Sequence, residues 1–150
     1  MNIKNYTSNV PDNTTISYIE TYLADCGVSG ITKEFDQGQP SAVSFHINTE
    51  GRTYTIRLPA NVEAVQEYLY RQYITSHKRP RADVDKESFR EQAARTAWKI
   101  QQDWIQVQIS LIKLKQADFL QVFMAYLWDG KQTYYEQVRG SKFKALPEKT

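Results

Sequence analysis

Cysteine is nearly absent. Cys26 stands alone, so no disulfide forms within the chain, and a reducing cytoplasm is the expected setting. Long apolar runs are absent too. None approaches the ~18 residues of a membrane span, and the opening "MNIKNYTSNVPDNTT" lacks the apolar stretch of a signal peptide. No membrane partner is expected. Histidine is scarce: His46 and His77 have no Cys or carboxylate at ligand spacing, so no metal is expected. The six glycines are scattered in turns, which leaves no phosphate-cradling loop. Glu34 and Asp36 flank Phe35, and Asp25 lies elsewhere, so the acids show none of the convergence that two-carboxylate chemistry requires. No catalytic residue and no cofactor is assigned, and the expectation is a protein that is not an enzyme.

What is present is a chain of 150 residues, 41% apolar and 24% charged, which suits one globular domain held by its own core. The net charge of +2 conceals a local excess. Residues 1–70 carry four basic against eight acidic groups, whereas residues 71–99 carry eight basic against four acidic. Such segregation bears on partners more than the total does.

Hydrophobic periodicity sets the expected elements. Ile16, Ile19, Leu23 and Cys26 recur at helical spacing, which predicts a first helix over 15–26 closed by Gly27 in the left-handed region. Three strands follow: "GITKEFD", then "SAVSFHIN" after a "QGQP" turn, then "RTYTIRLP" after an "NTEG" hairpin loop. Val43, Phe45 and Ile47 alternate with Ser44 and His46, and Tyr54, Ile56 and Leu58 with Thr55 and Arg57. That pattern predicts an antiparallel sheet covered on one face. "NVEAVQEYLYRQYI" reads as the second helix, capped by Asn61, and "TSHKRPRADVD" as a long loop.

The third helix is expected over 86–115, about 45 Å long. Its seam is read as Phe89, Ala93, Ala97, Ile100, Trp104, Val107, Leu111 and Leu114, a heptad-like spacing, with Trp98, Ile105, Ile109 and Ile112 widening the face. A homodimer through this helix is one way to cover the seam. Phe119, Leu120, Phe123, Met124 and Leu127 mark a fourth helix. "TYYE" at 133–136 carries a capping-box pattern for a short last helix, with a hairpin through Asp129-Gly130 as the rival. Residues 1–13 and 141–150 are expected to be flexible. The fold class is therefore α+β: a helix, a three-stranded antiparallel sheet, then a helical C-terminal half with one long helix.

In this order, "YTIRLP", "VEAVQEYL", the basic loop, "EQAARTAWKIQQDWIQVQISLI", "FLQVFMAYL" and "GKQTYYE" resemble a family of small bacteriophage- and prophage-encoded proteins. The likeness runs over roughly residues 31–137. It implies a mobile-element protein in a bacterial cytoplasm and carries over no activity or site residue. The order α-β-β-β-α over 15–74 is also similar to that of double-stranded-RNA-binding domains. Their glycine- and lysine-rich signature at the last helix is missing, since "PANVEAVQ" stands there.

The basic segment is the candidate site. Arg71, Lys78, Arg79, Arg81, Arg90, Arg95 and Lys99 are expected to contact phosphates if they form one strip, and Tyr73 to stack on a base. The competing reading is a solvated surface, because Asp83, Asp85, Glu87 and Glu91 are interleaved. Tyr68, Tyr70, Tyr134 and Tyr135 suit packing, as do Trp98, Trp104 and Trp128, and Cys26 reads as a small buried hydrophobe. The expected role is nucleic-acid binding. The alternatives are a module that inhibits a host defence or replication protein, and a sponge for a small nucleotide signal.

Overall fold

Two tight turns set the sheet. The structure, a computed structural model, describes residues 2–149. Strands β1 (Ser29–Asp36), β2 (Gln39–Thr49) and β3 (Arg52–Pro59) pair antiparallel in the order β1-β2-β3. Gln37-Gly38 and Glu50-Gly51 link them as two-residue loops. All four residues have positive φ, the geometry whose twist matches paired strands. β2 begins at Gln39, two residues before the expected strand. Pro40 pairs with Phe35 and Ala42 with Glu34, so Ser41 is an extra residue that bulges the strand beside a proline.

The alternation reads true in space. Val43 faces Leu58 and Phe45 faces Ile56, and all four are buried. Against them pack α1 (Asp12–Asp25) and α3 (Arg90–Lys113), and α2 (Val62–Ser76) also packs on α3. α1 contributes Ile16, Ile19 and Leu23, starts three residues before the expected boundary, and ends with Gly27 at φ 80°. The opposite sheet face is polar: His46 Nδ1 lies 3.0 Å from Thr55 Oγ1, and Arg57 Nε donates to Glu34 at 2.7 Å while its guanidinium covers Trp128.

α3 departs from the expected seam. A single 3₁₀ turn, Lys86–Phe89, precedes it, and its 24 residues span about 36 Å rather than 45 Å. Its buried residues are Ala93, Ala94, Thr96, Ala97, Trp98, Gln102, Ile105 and Ile109, and Ala93, Ala97, the half-buried Gln101, Ile105 and Ile109 form a row spaced by fours. The heptad line leaves the core after Ala97. Ile100, Trp104 and Leu111 are half-buried, while Val107 is 57% and Leu114 68% exposed. The cause is helical pitch: a straight helix turns once per 3.6 residues, and a 3.5 repeat drifts off the contact line. Gln101 and Gln102 fill the stripe. Gln101 Nε2 donates to the Pro59 carbonyl at 2.7 Å, and Gln102 Nε2 donates to the Tyr22 hydroxyl at 3.1 Å.

α4 is a short turn, Phe119–Phe123, continued by a 3₁₀ segment through Tyr126. Phe123 is fully buried, edge-on to Phe45 and Trp104. Both readings of the next segment hold in part. Leu127 bridges to Ile56 and Trp128 to Thr133, and α5 (Tyr134–Gly140) then starts from a complete Thr133–Glu136 capping box.

Residues 4–8, expected as part of a flexible lead-in, lie against α3. The Asn5 carbonyl accepts from Thr96 Oγ1 at 2.8 Å, and the Ser8 carbonyl from Gln92 Nε2 and Arg95 Nε at 3.1 Å. Asn5 Nδ2 and Lys4 Nζ both reach Asp103.

Candidate nucleic-acid interface

The cations of the basic segment do not share one surface. At 3.6 residues per turn, Arg90 and Arg95 point about 140° apart around α3, and Arg90 and Lys99 about 180° apart. Arg95 faces the N-terminal segment and is held by Ser8, Glu91 and Gln92. Lys99 donates to Gln102 Oε1 at 2.9 Å. Arg90 turns the other way, into a cleft between the β1–β2 turn and the start of α2, where it donates to Gln39 and Gln66.

The rest gather at the end of α2 and in the connection that follows. Arg71 donates to Glu67 at 2.7 Å, and Lys86 reaches the same carboxylate at 2.7 Å. Hydrogen bonds from Lys86 and then Arg71 hold the Glu67 carboxyl below the usual range. This pair therefore carries less free positive charge than its sequence indicates. Arg81 is matched by Asp83 at 2.7 Å. Lys78 and Arg79 differ: both are exposed, and neither makes an ion pair among the described residues.

Tyr73 has a structural task. Its ring lies between His77 (4.2 Å) and Phe89 (5.8 Å), and its hydroxyl accepts from the Arg81 backbone N–H at 3.1 Å. It anchors the connection, and its ring is already in contact with two others. The exposed ring beside Lys78 is His77, whose Nδ1 lies 2.8 Å from the Tyr73 carbonyl. Sequence reasoning weighed His77 only as a metal ligand and did not weigh its exposure beside Lys78.

Among the described residues no three His, Cys, Asp or Glu side chains converge as a metal site. No helix among them is long and apolar enough to cross a membrane. Cys26 is half-buried, and burial pushes its thiol up from the ordinary value. The Gln39 and Gln66 contacts to Arg90 were not legible from sequence, because their partners lie 51 and 24 residues away. Compared with protein families, with curated proteins and with solved structures, the chain gives no match.

Proposed function

We propose that this chain is a non-enzymatic accessory protein of a phage or prophage that binds nucleic acid through the connection over 77–85. The observation that carries the reading is the adjacent pair Lys78 and Arg79. Both are exposed without ion pairs among the described residues, beside Arg81 and the exposed ring of His77. Phosphates attract such cations without reading sequence, and an exposed ring adds base stacking that tolerates any base. Arg71 stands at the edge of this surface. Arg90, Arg95 and Lys99 lie outside it and are not part of the proposed contact.

The test is charge reversal. Lys78→Glu with Arg79→Glu should weaken binding to labelled single-stranded DNA or RNA by tenfold or more in fluorescence anisotropy. Arg95→Gln should leave binding within about twofold. Equal affinity of the double variant and the parent would end the proposal.

A second reading, a protein-interaction module or homodimer, draws on one observation. Val107, Leu111 and Leu114 form a stripe on the outer side of α3, with Val107 57% and Leu114 68% exposed. Sedimentation of the parent and of Val107→Asp with Leu114→Asp separates the cases. A dimer lost in the variant supports this reading, and a monomer in both removes the homodimer.

A further inference from the structure

Among the described residues three arginines are half-buried: Arg57, Arg90 and Arg95. Arg57 is neutralised by Glu34 and Arg95 by Glu91. Arg90 makes no ion pair among the described residues; its guanidinium is held by two neutral amide oxygens, Gln39 Oε1 at 2.5 Å and Gln66 Oε1 at 3.1 Å. A half-buried cation is normally matched by an acid, because neutral dipoles offset its lost hydration only in part. Gln66 is itself locked: it is buried, and its amide nitrogen donates to the Lys86 carbonyl at 2.9 Å. A guanidinium carries five N–H donors. Nε and Nη1 are oriented by these contacts, and Nη2 is left without a protein partner among the described residues.

This group lines a cleft of about 290 Å³, at the small end of the range for ligand sites. Two carboxylates, Asp36 and Glu63, line the same cleft. Both are exposed, and neither makes an ion pair with Arg90 or with any other cation among the described residues. The cleft thus holds one oriented cation and two acids without ion pairs among the described residues. A multiply charged phosphate would meet those acids as well as Arg90, and no aromatic side chain lines the cleft to take a base. We infer that the cleft binds a small zwitterion of the amino-acid class, with its carboxylate on Arg90 and its ammonium group between Asp36 and Glu63. A compact neutral or cationic L-amino acid fits this charge layout, whereas a dicarboxylic one places a second anion against the acids.

The test uses the full chain and amide NMR spectra, titrated with L-alanine, L-lysine, L-glutamate, acetate and inorganic phosphate. Alanine and lysine should give saturable shifts centred on Gln39, Ser41 and Glu63, and glutamate should bind at least about tenfold more weakly. Arg90 also ties Gln39 to Gln66, so its removal alters the fold locally. The exposed acids therefore carry the test: D36N and E63Q should each weaken alanine binding by about tenfold while leaving the rest of the spectrum unchanged. No shift with any amino acid up to ~20 mM overturns the inference. Acetate or phosphate binding as tightly as alanine, unaffected by D36N and E63Q, overturns it equally and leaves a plain anion site.

Discussion

Ile105 and Val107 are two residues apart on α3 and carry opposite predictions. Ile105 is 1% exposed within the core, and Val107 is 57% exposed. Truncating Ile105 to alanine removes three buried carbons and leaves a gap beside a sheet that relaxes only in part. Such changes cost about 2–5 kcal/mol. In a domain of this size each kcal/mol moves the melting midpoint by ~2–4 °C, so Ile105→Ala should melt roughly 5–15 °C lower. Val107→Ala removes little buried area and replaces a β-branched residue with the best helix former. It should therefore change stability by no more than about 0.5 kcal/mol. Urea unfolding followed by far-UV circular dichroism measures both, with an unchanged slope showing that the same transition is read. A loss at Val107 equal to that at Ile105 would refute the four-spaced stripe and restore the heptad seam.

Two further outcomes follow from the ends of the molecule. Thr133→Ala removes half of the reciprocal cap of α5 and should cost about 1 kcal/mol in the same unfolding assay, with a change below ~0.3 kcal/mol counting against the cap. Burial alone would raise the Asp103 carboxyl, but hydrogen bonds from Asn5 and Lys4 hold it below its ordinary value. A lowered carboxylate stabilises above its unfolded pKa and loses that contribution as pH falls through the folded value. Wild type should thus exceed Asp103→Asn in stability near neutral pH, and the gap should shrink as pH falls below the ordinary carboxylate range. A gap of the same size at neutral and acid pH would contradict the assignment.

Much of this architecture was legible in the sequence because local rules and tertiary packing agree. Val43, Phe45 and Ile47 alternate and are buried, Gly27 takes the left-handed position, and Thr133 caps α5. The α3 stripe was misread because two of its members, Gln101 and Gln102, are polar and find distant partners in Pro59 and Tyr22. Hydrophobicity alone then favoured the row through Val107 and Leu114. The basic segment failed as one strip for a related reason. A run of charges records composition, whereas helix phase and long-range partners decide direction. Arg95 meets the Ser8 carbonyl 87 residues away, and Arg90 meets Gln39 51 residues away. Neither contact leaves a local trace.

The salt dependence of nucleic-acid binding tests the functional account most directly. Two outward cations without ion pairs among the described residues, Lys78 and Arg79, set a slope of log K against log salt of about −1.4 for single strands and about −1.8 for duplex, since Arg81 is already matched by Asp83. Raising salt from 50 to 200 mM should then weaken duplex binding by roughly twelvefold. A slope near −7 would mean that all eight cations of residues 71–99 act together, contrary to the structure. No binding at low salt, or binding indifferent to salt, would contradict the proposal itself.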